Sequence, residues 1–168
     1  MALERLDASW RRRYVEQAST GEAPEDSCIF CALAEAAIDE DSGVVDRDAT
    51  SFVVLNAFPY GSGHVLVLPR RHVAAIDELD AAESAGLWQA TTRALRAVTA
   101  AYQPDGANLG ANLGRAAGAG IPGHLHLHVL PRWGGDTNFM TSVAETRVLP
   151  ESLAVSFEKL RAAYEAMG

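Results

Sequence analysis

Three of the five histidines of the chain alternate with aliphatic residues in the segment GHLHLHVLP at 123–131. In a β-strand, alternate side chains point to opposite faces, so His124, His126 and His128 would share one face. Neighbouring histidines would then lie roughly 6.5–7 Å apart. Because a zinc–nitrogen bond is about 2.0–2.1 Å long, two adjacent histidines could bind one metal ion, but hardly all three. A solvent-facing edge strand is the alternative, but three imidazoles opposite an aliphatic face favour an anionic ligand.

The segment before this histidine row contains three glycines within residues 115–123. Glycine lets the main chain form a concave group of N–H donors that binds an anion, although a plain turn has the same composition. An imidazole beside a bound phosphate can attack phosphorus and form a covalent intermediate. Its other ring nitrogen must donate to an acceptor that fixes the tautomer. His126 has a histidine on each side and is therefore the candidate nucleophile, with its neighbours serving phosphate oxygens or a leaving group.

Cys28 and Cys31 form a Cys-x-x-Cys motif. In a cytoplasmic chain this motif indicates a metal site or a redox pair rather than a structural disulfide. A redox pair would be expected beside a β-α-β unit, whereas strand-like segments with short connections follow here, so we predict zinc. His72 and one outer histidine of the row could complete a closed tetrahedral site, in which zinc is structural. A catalytic zinc bound by the row itself is the competing hypothesis.

Hydrophobic periodicity and turn residues predict an antiparallel sheet of about five strands with helices on one face, an α+β fold. Short apolar segments with short connections are typical of antiparallel strands, and apolar spacings of three, four and seven indicate helices. The predicted strands are 44–48, 51–56, 64–69, 107–114 and 124–133. The predicted helices are 9–19, 32–40, 77–102 and one from about Pro150, whose apolar stripe is Leu153, Phe157, Leu160, Tyr164 and Met167.

The chain has 168 residues and a formal net charge of −8 at pH 7, which suits one domain over 1–168 with a hydrophobic core. Nucleic-acid-binding proteins normally carry a basic excess, and the arginines at 11–13 are better explained as a solvated helix face. No apolar run reaches the roughly 18–20 residues of a membrane span, and the first residues lack a signal-peptide pattern. We therefore expect a cytoplasmic protein that binds neither nucleic acid nor membrane.

Together these motifs resemble the histidine triad superfamily, named for His-φ-His-φ-His-φ-φ with φ apolar. Residues 124–130 fit every position. The similarity extends to the bacterial branch related to diadenosine tetraphosphate hydrolases and phosphorylases, and spans most of residues 9–155. It is carried by CIFC, LNAFPYGSGHVLVLPRRHV (55–73), GANLGANLGRAAGAG (106–120) and HLHLHVLPRWGGDTNF (124–139). The resemblance implies a homodimer with one continuous sheet, and an enzyme that cleaves nucleotides at the α-phosphate through a covalent nucleotidyl-histidine.

The resemblance also implies roles for the histidine row. His126 would be the nucleophile, His128 would contact phosphate oxygens, and His124 would help to position the site. In zinc-bearing members the histidine that matches His124 is a metal ligand. The implied metal set is Cys28, Cys31, His72 and His124.

Further positions are implied to lie at the nucleotide. Asn56 matches a ribose-binding position, His64 matches a histidine of the same strand–turn motif, and Asn112 matches a polar residue near the scissile phosphate. The loop would contribute Gly118, Ala119 and Gly120. Some related hydrolases carry Gln, or Gln followed by Ser, just before the triad, where this chain has GAGIP at 118–122. That departure leaves open whether water or phosphate accepts the nucleotidyl group, and leaves the loop to act through its main-chain N–H groups.

Two functions remain open at the level of sequence. The first is an enzyme that hydrolyses or phosphorolyses a dinucleoside polyphosphate, such as diadenosine tetraphosphate, or a related nucleotide. The second is an adenine-nucleotide-binding regulatory module with little turnover. The intact histidine row favours the enzyme.

Overall fold

The fold is built on one antiparallel sheet of five strands, in the order β1-β2-β3-β5-β4. The computed structural model describes residues 28–136 and 151–168, so the helix predicted at 9–19 lies outside the described residues. The strands are β1 (Val44–Arg47), β2 (Ser51–Leu55), β3 (Val65–Pro69), β4 (Gly106–Gly110) and β5 (Leu127–Arg132). The helices are α1 (Ile29–Glu35), α2 (Ala81–Tyr102) and α3 (Leu153–Met167), with 3-10 turns at Ile76–Glu78 and Arg115–Ala117. The predicted α+β class is confirmed.

The two faces of the sheet carry separate apolar layers, because neighbouring strand residues point in opposite directions. The layer that packs against α2 and α3 includes the strand residues Val45, Val53, Leu55, Val65, Val67 and Val129. The layer on the other face packs against α1 and includes Val44, Phe52, Val54, Leu66 and Leu68. The expectation of helices on one face therefore holds for α2 and α3, whereas α1 covers the opposite face.

Helix α2 begins at a capping box rather than at residue 77. The Asp80 carboxylate accepts from the Glu83 N–H at 2.8 Å, and the Glu83 carboxylate accepts from the Asp80 N–H at 3.0 Å. These bonds satisfy two of the donors that a helix N-terminus leaves open. Arg71, two residues beyond β3, donates to Glu83 at 2.7 Å and ties the helix start to the sheet. None of the helices in the described ranges combines the length and apolar character needed to cross a bilayer.

The predicted strand at 124–133 is regular only from Leu127. The Leu125 N–H donates to the oxygen of Val73, beyond the end of β3, at 2.6 Å, so residues 124–126 run beside that segment instead of continuing the ladder. Leu125 is buried against α2 and α3, and Leu127 packs there too, as the alternation predicts. Similarly, β4 ends at Gly110, short of the predicted residue 114.

Candidate functional site

The histidine row lies on the sheet face that α1 covers. His124 is 1% exposed and His126 is 7% exposed. The ring of Phe30 in α1 packs against both, with centroid distances of 5.6 and 5.4 Å. The rings of His126 and His128 meet edge to face at 5.3 Å. Helix α1 therefore shields His124 and His126 from solvent, and the three imidazoles share one face as predicted.

The protonation of His126 follows from one hydrogen bond. Its Nδ1 lies 2.8 Å from the main-chain oxygen of His124. A carbonyl oxygen can only accept, so Nδ1 carries the proton and Nε2 carries the lone pair. Burial lowers the pKa of His126 below its usual value, so the ring is neutral at neutral pH. These are the two properties required of a nucleophilic imidazole.

His128 is held between aromatic rings and faces His64. Its Nδ1 lies 2.9 Å from Nε2 of His64, and the Tyr60 ring stacks on it at 5.7 Å and 18°. Burial, and to a lesser degree His126, lower the pKa of His128 to about 4. Within the described parts of the chain, Nε2 of His128 is buried without a hydrogen-bond partner. Such an atom is costly unless a ligand completes its hydrogen bond.

His64 and Asn56 lie together at this site and are both buried. The Asn56 Oδ1 accepts from the Phe58 N–H at 2.9 Å, which orients the amide with Nδ2 toward His64, 3.2 Å from its Nδ1. Gly63 precedes His64 with a φ of 73°. A Cβ at Gly63 would lie 2.5 Å from the Tyr102 ring, so only glycine brings β3 this close to α2.

The glycine-bearing loop starts next to the row, because Gly110 of β4 pairs with His128 of β5. Asn112 is two residues farther along and is half-buried. The N–H groups of Gly118 and Ala119 bond within the loop, to Arg115 O at 3.0 Å and Gly114 O at 3.3 Å. Among the described residues the N–H of Gly120 has no partner, so it is the candidate anion donor of the three.

A second cluster, which we call the Cys–His cluster, adjoins the row. Its members are the four residues of the implied metal set, Cys28, Cys31, His72 and His124, whose ligand atoms all lie within 4.8 Å of one another. It is the one group of histidine, cysteine and acidic residues in the described ranges that could hold a metal ion, and it excludes His126 and His128. A catalytic metal bound by the row alone has no support in this geometry.

The spacing of the Cys–His cluster fits tetrahedral zinc. Bonds of about 2.3 Å to sulfur and 2.0–2.1 Å to nitrogen separate the ligand atoms by roughly 3.3–3.8 Å. The His124 Nδ1 lies 3.5 Å from Cys28 Sγ and 3.7 Å from Cys31 Sγ, and the His72 Nδ1 lies 3.2 Å from Cys31 Sγ. The His124 Nε2 donates to Pro69 O at 2.9 Å, which leaves Nδ1 as the metal-facing lone pair.

Two contacts of the site were not predicted. Phe30, which covers the row, lies inside the Cys-x-x-Cys motif, and its apolar character alone did not mark it. Tyr60 stacks on His128 and its main-chain N–H donates to His64 at 3.0 Å. It lies in the turn between β2 and β3, where periodicity carries no information. Its position four residues before a candidate site histidine is the only clue.

Comparisons with known proteins agree with this geometry. The HIT domain model matches residues 38–135. A Mycobacterium tuberculosis protein named AP-4-A phosphorylase is 38% identical over 155 residues, covering 90% of this chain and 79% of the relative. A Zn-bound histidine triad family protein from Mycobacterium smegmatis has a TM-score of 0.67 and 30% identity, covering 86% of this chain and 97% of its own. A protein from Sulfolobus tokodaii described as a hypothetical histidine triad nucleotide-binding protein has a TM-score of 0.67 and 26% identity, covering 83% of this chain and 93% of its own. The chain therefore belongs to the HIT, or histidine triad, family.

Proposed function

We propose that the protein is a nucleotidyl hydrolase or phosphorylase that cleaves dinucleoside polyphosphates at an α-phosphate. One observation carries the proposal: the hydrogen bond from His126 to the His124 oxygen leaves a lone pair on Nε2 of a neutral ring. The relative named AP-4-A phosphorylase supports both the enzyme class and the substrate class. A nucleotide-binding module without chemistry would have no need of this arrangement.

The proposed reaction has two displacements. Nε2 of His126 bonds to the α-phosphorus while the bridging P–O bond breaks, and the electron pair leaves with the nucleoside polyphosphate. An oxygen of water or inorganic phosphate then attacks the same phosphorus, the P–N bond breaks with its electron pair returning to Nε2 of His126, and the proton that the attacking group loses passes to solvent. His128 and the N–H of Gly120 serve the phosphate oxygens in this scheme, as donors to developing charge. Asn56, His64, Asn112, Gly118 and Ala119 are proposed to line the nucleotide.

We propose that the Cys–His cluster holds a structural zinc ion. The measured ligand spacing and the Pro69 acceptor behind His124 support this assignment, as does the Zn-bound relative. When bound, zinc would supply a cross-link between α1, the segment after β3 and the start of the row. With four protein ligands, the site leaves no open position for water.

We also propose a homodimer that continues the sheet through β4. This strand is at the sheet edge and all five of its residues are exposed, with Leu109 46% exposed. An exposed edge strand that carries leucine is a surface that proteins normally cover. Sedimentation analysis should give a dimer that Leu109→Lys shifts to monomer. A monomeric wild-type protein would contradict the proposal.

The decisive experiment combines substrates with one variant. Purified protein is incubated with nucleoside mono-, di- and triphosphates and diadenosine tri- and tetraphosphates, with and without inorganic phosphate, and products are separated by chromatography. We expect cleavage of the dinucleoside polyphosphates, and the phosphate arm identifies the acceptor. His126→Asn should bind the nucleotide but lose at least about 1000-fold in turnover. Binding without turnover in the wild type would favour the regulatory module instead.

A further inference from the structure

Helix α1 has little stability of its own, because it spans only seven residues. An isolated helix shorter than about 12–15 residues is marginal in water. Within the described part of the chain, its N-cap residue Cys28 makes no side-chain cap hydrogen bond, its first turn has no acidic residue and its last turn has no basic residue. These are the usual local features that stabilise helix ends. Contacts with the sheet must therefore hold α1 in place.

The C-terminal end of α1 is held by an arginine of the sheet. Nη2 of Arg47, the last residue of β1, donates to the main-chain oxygen of Leu33 at 3.1 Å and to that of Ala36. A helix runs out of N–H donors for its last carbonyl groups, and this guanidinium supplies them. Arg70 also binds the helix end, through Glu35 at 2.7 Å, but that carboxylate is 74% exposed, and an exposed ion pair contributes little. Arg47 is therefore the stronger of the two polar anchors.

A β-bulge in β1 directs Arg47 toward α1. The register with β2 shifts between Val44 and Asp46, so Val45 is the extra residue. Val45 belongs to the apolar layer under α2 and α3, and on that same side Asp46 accepts from Arg93 of α2 at 3.1 Å. Two consecutive residues therefore face α2 and α3, and Arg47 faces α1. Strict alternation from Val44 would have placed Arg47 on the opposite face of the sheet.

We propose that Arg47 is a positioning residue that holds α1 on the sheet, and so sets the zinc affinity of the Cys–His cluster and keeps His126 covered. Both cysteines of the cluster lie at the start of α1, and the Phe30 ring of α1 packs against His126 at 5.4 Å. Arg47 contacts the other end of the helix and belongs to neither the cluster nor the row. The inference rests on the zinc ion and the nucleophile of the proposed function, and adds a residue of β1 that acts on both through one helix.

The zinc affinity depends on α1 because the four ligands come together only while the helix is docked on the sheet. Cys28 and Cys31 lie at the start of α1, whereas His72 follows β3 and His124 precedes β5. When only one conformation binds a ligand, the apparent dissociation constant is the intrinsic constant divided by the populated fraction of that conformation. Loss of the Arg47 hydrogen bonds lowers this fraction and weakens zinc binding without changing a ligand.

Competition for zinc with a chromophoric chelator, on the full-length protein, measures this effect. Arg47→Met removes the donors but keeps an aliphatic side chain. It should bind zinc at least about tenfold more weakly, the usual effect of losing a hydrogen bond to a charged group. Arg47→Lys retains a charged donor and should recover part of the loss. Arg70→Met is the matched control and should change the affinity by less than about threefold. Equal zinc affinities of wild type and Arg47→Met would overturn the proposal.

Hydrogen exchange shows where the structure loosens and needs no turnover. Wild type and Arg47→Met are compared after chelator treatment, by mass spectrometry of peptides that cover residues 29–36 and 51–69. We expect the α1 peptide of the variant to exchange at least about tenfold faster and the β2–β3 peptide to be unchanged, because only α1 undocks. Equal exchange of α1 in the two proteins, or faster exchange throughout the sheet, contradicts a role of Arg47 that is confined to the helix.

The zinc dependence of turnover connects α1 to the row. An undocked α1 uncovers His126, and zinc that binds only the docked form shifts the docking equilibrium by mass action. Turnover of diadenosine tetraphosphate by Arg47→Met should therefore lie below wild type at limiting free zinc and return close to wild type at saturating zinc. A loss of turnover that zinc does not reverse means that Arg47 does not act through α1, and the inference is then wrong.

These measurements separate the inference from the proposed function. If wild type cleaves no nucleotide, the proposed reaction fails, while zinc affinity and hydrogen exchange still decide the role of Arg47. If wild type binds no zinc, the zinc site fails and the claim about zinc affinity fails with it. Hydrogen exchange of the α1 peptide then decides whether Arg47 holds the helix over His126.

Discussion

The main-chain oxygen of His124 accepts from His126 at 2.8 Å, while the ring of His124 faces Cys28 and Cys31 at 3.5 and 3.7 Å. One residue therefore belongs to both the Cys–His cluster and the histidine row. Disorder in the Cys–His cluster would therefore also displace the His124 oxygen, the acceptor that sets the tautomer of His126.

Removal of the zinc ion proposed for the Cys–His cluster should therefore destabilise the protein. We expect a chelator, or Cys28→Ser, to lower the midpoint of thermal unfolding by about 6–12 °C, equivalent to about 3 kcal/mol. The measurement is calorimetry together with elemental analysis of the purified protein. Chelator treatment of the double variant Cys28→Ser/Cys31→Ser is the control and should change nothing. If protein without zinc unfolds at the same midpoint temperature as protein with zinc, the structural role of the metal is contradicted.

Gly63→Ala tests the approach of β3 to α2. The new Cβ would lie 2.5 Å from the Tyr102 ring, and the φ of 73° is unfavourable for alanine. We expect a loss of about 1–3 kcal/mol in unfolding free energy, measured by urea denaturation. Gly61→Ala is the matched control, because its Cβ would meet Leu130 at 3.6 Å, an ordinary contact. Equal stabilities of the two variants would refute the steric explanation.

The effect of Gly86→Ala in α2 on stability should depend on the side chain of Thr50. A Cβ at Gly86 would lie 2.1 Å from Oγ1 of Thr50, so Gly86→Ala should destabilise the wild-type protein. In a Thr50→Ala background that oxygen is absent and only the Cβ of position 50 remains, 3.2 Å from the new Cβ. The clash is then much smaller, and the helix preference for alanine, about 1 kcal/mol, offsets part of it, so Gly86→Ala should cost much less than in wild type. A double-mutant cycle of urea unfolding free energies measures this coupling. Additive effects would show that the two residues do not interact.

His128 should make stability depend on pH. Its folded pKa of about 4 lies below the ordinary value of 6.5, so between these values the unfolded chain binds more protons and stability falls as pH falls. From pH 7 to pH 5 the loss should be at most about 2 kcal/mol. His128→Gln lacks this group, so its unfolding free energy should fall less steeply than that of wild type. If the unfolding free energies of wild type and His128→Gln change in parallel with pH, the pKa of His128 in the folded protein is ordinary.

The fold and the residues of the site were predictable to different degrees. Strand alternation correctly placed Leu125 and Val129 on the helix side, and the predicted ends of β1, β2 and β3 were each within one residue, because apolar periodicity reports burial directly. The start of β5 was predicted three residues early, since the bond from Leu125 to Val73 depends on tertiary contacts. The sequence likewise could not indicate that the N–H groups of Gly118 and Ala119 bond within their own loop. The cytoplasmic location and the single domain over 1–168 stay predictions.

The late start of β5, at Leu127 instead of His124, has a consequence for how the protein balances stability against activity. If β5 were regular through His124, its main chain would follow the strand path and gain sheet hydrogen bonds. The His124 oxygen would then no longer be held at the ring of His126. The irregular segment 124–126 lacks the stabilising hydrogen bonds of a regular strand, but its main-chain oxygen at His124 can hold the ring of His126. Substitutions that extend β5 toward His124 should therefore raise the melting temperature and slow catalysis. This trade-off between stability and activity is expected where a functional site departs from regular secondary structure.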